Sequence, residues 1–295
     1  MPKIDVYESA FFEYLGTRLD RDSLEQMLTV AKAELDAETD ESGITKFELN
    51  DTNRPDLWSA GGLARQLRVY RSGELPSYDF FSSEGDTKDP QERRVLVDPE
   101  LESIRPYVAA FAVSGKHIDE AGLADIIQTQ EKLTWNFGQK RKAIAMGVYR
   151  SSRMKYPIHY VAADPDKTRF SPLGAEGEMS LRQILAEHPK GQEFGSAVAE
   201  FDRMPFLTDD RGETLSFPPI INSAYIGDVQ EGDWQLFVEM TGTNMDQLLL
   251  ACSIVACDLA DQGYRVLPVR IVYPYDTPVG REIVTPYYFQ TPQTM

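Results

Sequence analysis

The chain has 295 residues, with 47 acidic against 30 basic side chains and a formal charge of −17. Apolar residues make up 42% and charged ones 26%, a globular balance with material for one large or two average domains. The charge argues against a general nucleic-acid binder, two cysteines argue against a disulfide-framed secreted domain, and no apolar run nears the roughly 20 residues of a membrane helix. The first residues lack the basic-then-apolar pattern of a signal peptide, so a soluble, cytoplasmic protein is expected.

Ser23 and Gln26 stand at capping-box spacing, and Leu24, Met27, Leu28, Ala31 and Leu35 recur at three and four, which predicts an amphipathic helix. Residues 44–49 alternate as a strand does. Asn50 to Asp56 is a polar turn cluster in which Pro55 opens a second helix. Leu57, Leu63, Leu67 and Tyr70 form its apolar face and Gly73 its C-terminal cap. Residues 74–94 carry Gly, Pro, Ser and charge without periodicity and read as a linker. Beyond it, strands are expected at 107–113, 143–149, 158–162, 220–222, 235–240 and 266–273. Helices are expected at 119–133, 180–188, 192–201 and 244–262. Ser180 and Gln183 match a capping box, Pro189 closes the helix they open, and Gly263 stops the last one. The class is α+β, with a small N-terminal α/β domain before a larger mixed β/α domain.

The negative charge is unevenly spread. Residues 1–105 carry a net −10, residues 106–190 a net +3 and residues 191–295 a net −10. Between Lys132 and Arg169 nine basic side chains face only Asp164 and Asp166. Such a strip suits either an anionic partner met at one place or a solvated face. Neither the P-loop nor the G-x-G-x-x-G phosphate cradle is present, and no G-x-S-x-G elbow appears. His117, His159 and His188 are too scattered for a zinc motif, and Cys252 and Cys257 read as buried thiols.

Four segments stand out together: ELNDTNRPDLWSAGGLARQLR (48–68), LTWNFGQKRKAIAMGVY (133–149), LSFPPIINS (215–223) and FVEMTGT (237–243). In that order and spacing the chain resembles the β subunit of phenylalanyl-tRNA synthetase of the archaeal and eukaryotic type. The resemblance implies that residues 1–90 are the family's largely architectural N-terminal domain and that residues 95–275 are its B3/B4 module. That module would hydrolyse tyrosine wrongly esterified to tRNA(Phe). Residues 276–295 would lead into a further domain, so an N-terminal fragment is expected; the aromatic run Tyr287 to Phe289 supports this. A catalytic α subunit and tRNA(Phe) are the implied partners. ATP and magnesium would belong to the α subunit, with no cofactor or metal in this chain.

Tyrosine exceeds phenylalanine by one hydroxyl, which a hydrophobic synthetic pocket rejects only about a hundredfold. A second site can reverse that logic by offering the hydroxyl a buried partner that phenylalanine would leave unpaired. Matched to the family, Ser216, Glu239 and Thr241 are the expected catalytic residues and Leu207, Asn222 and Ser223 the expected substrate-binding ones. Glu239 and Thr241 lie two apart on a strand and face the same side. A carboxylate within Leu236-Phe-Val-Glu-Met calls for a partner or a job. Ser223 also suits a turn cap, and Thr243 or Asn244 a helix cap. Lys140, Arg141 and Lys142 would guide the tRNA acceptor end, with Trp135 and Phe137 as stacking platforms. The alternative is a non-catalytic scaffold or tRNA-binding module, and the state of the pocket around Ser216, Glu239 and Thr241 separates the two. An open, polar pocket favours hydrolysis; a filled one favours the scaffold.

Overall fold

The computed structural model describes residues 3–37, 39–50, 53–81 and 92–287. Most of the predicted linker core, residues 82–91, and Tyr288 and Phe289 of the aromatic run lie outside the described residues. The chain opens with strand β1 (Lys3–Tyr7), helices α1 (Glu8–Leu15) and α2 (Arg21–Leu28), strands β2 (Ala33–Ala37) and β3 (Ile44–Leu49) and helix α3 (Ala60–Ser72). β3 lies between β1 and β2, antiparallel to both.

Asp20, rather than Ser23, caps α2: its carboxylate accepts the backbone N–H of Ser23. The helix also ends sooner than its apolar repeat predicts. After Leu28 one 3-10 turn leads to Lys32 in the left-handed region, and Leu35 belongs to β2. Pro55 opens only a short 3-10 turn, and Ser59 caps α3 through the N–H of Gly62. Leu57, Leu63 and Leu67 are buried as expected, but Tyr70 is exposed; Gly73 ends the helix at φ 72°.

The larger part runs through β4 (Arg94–Val97), β5 (Tyr107–Ser114), α4 (Glu120–Lys132), β6 (Ile144–Arg150), β7 (Ile158–Ala163), β8 (Arg169–Phe170) and β9 (Met179–Ser180). It continues with α5 (Leu181–Glu187), α6 (Pro189–Phe194), β10 (Met204–Thr208), β11 (Thr214–Phe217) and β12 (Ile221–Asn222). β13 (Gln235–Gly242), α7 (Met245–Asp261), β14 (Arg265–Val272) and β15 (Glu282–Thr285) complete it. The capping box of Ser180 and Gln183 forms as read. Pro189 starts α6 instead of merely closing α5, so the helix expected at 192–201 begins earlier and gives way after Phe194 to a 3-10 turn. Asn244 caps α7 through the N–H of Gln247. The class is α+β, as the patterning indicated.

The main sheet is one strand path, β12-β11-β10-β7-β4-β14-β5-β13-β6, with β15 attached to β14. β14 turns it into two leaves: residues 265–268 pair with β5, and residues 269–272 pair with β15 and β4. The segment read as a tail thus supplies a strand, and Thr285 Oγ1 is hydrogen-bonded to both backbone groups of Ala110 on β5. The two ends of the path then approach each other. Asn222 Nδ2 donates to the carbonyl of Val148 on β6, and the N–H of Arg150 donates to the carbonyl of Ile226.

A buried polar seam ties α3 to α7. Ser59 Oγ donates to Asp258 at 2.6 Å, and Arg65 reaches Asp258 at 2.9 Å and Asp261 at 2.8 Å. Asp261 also accepts from Arg68 and from the hydroxyl of Tyr78. Asp125 of α4 accepts the N–H of Ala60 and the amide of Gln262. Burial pushes Asp258 up to about 7, against the pull of Arg65. Removing one partner of a buried ion pair leaves the other uncompensated. Asp258→Ala is therefore expected to cost about 3 kcal/mol, and Arg68→Ala, at a more exposed pair, less than about 1 kcal/mol, both read from urea midpoints.

Candidate functional site

β13 carries Phe237, Glu239 and Thr241 on one face, as strand alternation requires. Glu239 stands opposite Ala110 on β5 and Gly147 on β6. Phe237 is flanked by Ala112 and Tyr149, and Thr241 by Val108 and Ala145. These neighbours, mostly small, give the carboxyl space above the sheet. A second row comes from the other leaf. Tyr160, Leu207, Ser216 and Asn222 stand directly opposite one another across β7, β10, β11 and β12, so their side chains share a face.

Tyr149 joins the two rows. Its hydroxyl lies 2.8 Å from Ser216 Oγ and 2.8 Å from Glu239 Oε1. A phenol has one proton, so it donates to one of these oxygens and accepts from, or merely faces, the other. Gly147 makes the arrangement possible: a Cβ there would come within 2.0 Å of the Tyr149 hydroxyl. Glu239 is 3% exposed and Ser216 2%, while Thr241 and Tyr149 are fully enclosed. Desolvation raises Glu239 from an ordinary 4.5 to about 7, with Tyr149 and the more distant Arg105 pulling it back. The same burial, with the carboxylate beside it, drives the Tyr149 phenol well above its usual range. Glu239 Oε2 has no hydrogen-bond partner among the described residues.

Thr241 has a different neighbour. Arg105, itself 2% exposed, donates from Nε to Thr241 Oγ1 at 2.9 Å and from Nη2 to the Thr241 carbonyl at 2.6 Å. Its remaining bonds go to the carbonyls of Arg141 and Lys142. The Thr241 hydroxyl is therefore an acceptor held by a guanidinium. Those carbonyls belong to a turn in which Gln139, Lys140 and Arg141 all adopt positive φ, between 52° and 67°.

The other expected residues divide. Leu207 is fully buried in the row beside Ser216, as a wall would be. Asn222 lies in the same row but uses its amide to bridge to β6. Ser223 turns away: its hydroxyl donates to the carbonyl of Thr214 and accepts the N–H of Ile226, which is the turn-capping role. Arg141 also departs from its expected place on a phosphate-binding surface. It is half-buried over the Phe194 ring at 4.0 Å and donates to the carbonyls of Pro219 and Ile220. Lys140 and Lys142 are exposed and form no salt bridge among the described residues; Lys140 lies over Trp135 at 5.1 Å. Trp135 is 46% exposed, whereas Phe137 packs against the core. Other cations of the strip meet acids elsewhere: Arg150 with Asp233, Lys155 with Asp210, and Lys167 with Asp164.

Tyr149, Arg105 and Tyr160 are the site residues that sequence reasoning missed. One signal was present, a glycine inside the apolar strand Ile144–Arg150, which marks a close approach. Cys252 and Cys257 are buried free thiols. Among the described residues no group of three or more His, Cys, Asp or Glu side chains is placed to hold a metal ion. None of their helices is long and apolar enough to cross a membrane. A groove of about 910 Å³ opens between residues 68–80 and β14, and none of the expected site residues lines it.

Comparison with known proteins gives a consistent neighbourhood. No family model matches the chain. It is 47% identical over 290 residues to the phenylalanine–tRNA ligase β subunit of Borrelia hermsii, covering 98% of this chain and 51% of that protein. The corresponding protein of Borreliella afzelii is 45% identical over 293 residues, with the same coverage. The chain therefore spans about half the length of the curated relatives it matches. A crystal structure of an N-terminal fragment of the phenylalanyl-tRNA synthetase β subunit from Pyrococcus horikoshii superimposes with a TM-score of 0.88 at 37% identity. That match covers 97% of this chain and 79% of the other.

The Glu239 carboxyl has a pH signature. The folded chain keeps its proton up to about 7, while the unfolded chain releases it near 4.5, so wild-type stability falls as pH rises through that window. Glu239→Gln removes this one contribution. Measured by urea unfolding, the variant should gain on the wild type by up to about 3 kcal/mol between about pH 4.5 and about pH 7.5.

Proposed function

This chain belongs to the phenylalanine–tRNA ligase β-subunit family, and on that premise we propose that it hydrolyses tyrosine esterified to tRNA(Phe) while supporting charging by an α subunit. One observation carries this reading: Glu239 and Ser216 already hold a phenolic hydroxyl between them inside an apolar enclosure, that of Tyr149. The same pair would accept the hydroxyl of a tyrosyl ester and leave phenylalanine with two unpaired buried groups. An aminoacyl ester is already activated, so a positioned water and a few fixed dipoles suffice for its hydrolysis. On this reading Glu239 and Ser216 recognise the phenol, and Arg105 holds Thr241 at the wall of the site. Leu207 packs the ring, and Asn222 holds the adjoining strand ends together.

A second reading, a non-catalytic scaffold, also has a specific observation behind it. Tyr149 fills the space between Glu239 and Ser216, and both residues are buried rather than presented to an open cleft. The two readings differ in whether Tyr149 leaves its place. The wider assignment follows the family: an architectural domain over residues 1–90, the editing module over 95–275, cytoplasmic location, and ATP and magnesium at the α subunit's site. Lys140, Lys142 and Trp135 would meet the acceptor end of tRNA(Phe), and Arg141 would shape the turn that presents them.

Deacylation of tyrosyl-tRNA(Phe) by the intact αβ enzyme is the direct test. Glu239→Gln should lower kcat/KM for deacylation by roughly 10- to 100-fold, the worth of one hydrogen bond to a charged group, and leave phenylalanine charging unchanged. Equal deacylation by both would remove Glu239 from the chemistry, and no deacylation by the wild type would establish the scaffold. Replacing Lys140 and Lys142 together by alanine should weaken tRNA binding and reduce the log–log salt slope by about 2 in filter-binding titrations.

A further inference from the structure

The Tyr149 side chain is placed as a substrate would be. Its ring is fully enclosed beside Phe237, with centroids 6.1 Å apart, and its hydroxyl is held by the two residues best suited to recognise a phenol. The cleft is cut to this occupant, since any side chain at Gly147 would strike the hydroxyl. Polar capacity remains after the phenol is satisfied. Glu239 Oε2 is buried without a partner, and so is the hydroxyl of Tyr156, whose ring packs edge-on against the same Phe237 at 6.0 Å. Tyr149 is the next-to-last residue of β6, which ends at Arg150 before the 3-10 turn Ser151–Arg153.

We propose that Tyr149 is a built-in occupant of the recognition site, a gating side chain that an incoming aromatic group must displace. This rests on the editing reading and adds the step that opens its site. A tyrosyl group exchanges one phenol for another, so the hydrogen bonds of Glu239 and Ser216 are restored after displacement. A phenylalanyl group expels the phenol and restores nothing. Discrimination resides in the opened site, where Glu239 and Ser216 are paired by one ligand and left unpaired by the other, and the closed state lowers apparent affinity for every ligand by the fraction of time the site stands open.

The test uses Tyr149→Phe, which keeps the ring and its packing but removes the hydroxyl that secures the closed state. Tyrosinamide and phenylalaninamide are titrated against the 295-residue chain by calorimetry. The variant should bind tyrosinamide at least about tenfold more tightly than the wild type does, and phenylalaninamide should gain by the same factor, because the closed state lowers both affinities alike. Equal tyrosinamide affinity in both proteins, or a gain confined to one amide, would overturn the proposal. In the intact αβ enzyme the same substitution should lower KM for tyrosyl-tRNA(Phe) deacylation while kcat is kept; an unchanged KM counts against the gate. The outcomes separate from those of the editing reading. A wild type without deacylation, beside a variant that gains on both amides, would sink editing and keep the gate. Deacylation by the wild type with unchanged amide affinities would do the reverse.

Discussion

A carboxyl group cut off from water must be either neutral or partnered, and the larger part of this chain is arranged around one that is partly both. Glu239 sits in the middle of β13, with Ala110 on one side and Gly147 on the other. Small neighbours leave a hollow over it, and the hollow is closed by residues from the far end of the strand path. That closure requires the path to turn, which β14 accomplishes by pairing with different strands along its two halves. Ser216 and Tyr149 then complete the enclosure from opposite ends of the sheet. Without the phenol, desolvation of the carboxyl would be unrelieved on both oxygens.

Much of the local structure was legible in the chain itself. β5, β6, β7, β13 and α7 announce themselves by apolar runs and by caps at Asn244 and Gly263, and Ser180 with Gln183 forms the box its spacing implies. Strand alternation alone put Glu239 and Thr241 on one face. It could not align Leu207, Ser216 and Asn222 in one row, because that depends on register between strands joined only by folding. The failures have the same origin. Ser223 and Arg141 carry the right chemistry for a site, but backbone recruits both: Ser223 caps a turn through Thr214 and Ile226, and Arg141 reaches 78 and 79 residues along the chain to the carbonyls of Pro219 and Ile220. Arg105 reaches Thr241 across 136 residues of sequence, a distance that no local pattern encodes. Ser23 does not cap α2 for a simpler reason, since Asp20 precedes it and offers a charged acceptor to the same helix end.

The electrostatics show how a basic strip can be present in sequence and largely spent in structure. Arg150, Lys155 and Lys167 meet carboxylates, Arg141 turns inward, and Arg153 lies over Tyr225. Lys140 and Lys142 face outward without a carboxylate partner among the described residues, Lys140 over an exposed indole, on a turn whose backbone is bound from within by Arg105. The guanidinium that holds Thr241 thus also holds the turn that carries these cations.

The seam between α3 and α7 bears on the segment that reads most like a flexible connection. Tyr78 lies in that segment, yet its hydroxyl is bound to Asp261, the carboxylate that also receives Arg65 and Arg68. The chain up to Tyr78 is thus fastened to α7. The two parts share one frame of rotation, and torque applied to the N-terminal sheet is transmitted through α7 to the strands beneath Glu239. A body that gripped only the first seventy or so residues would still set the orientation of α7 and of the strands β5 and β13 packed against it.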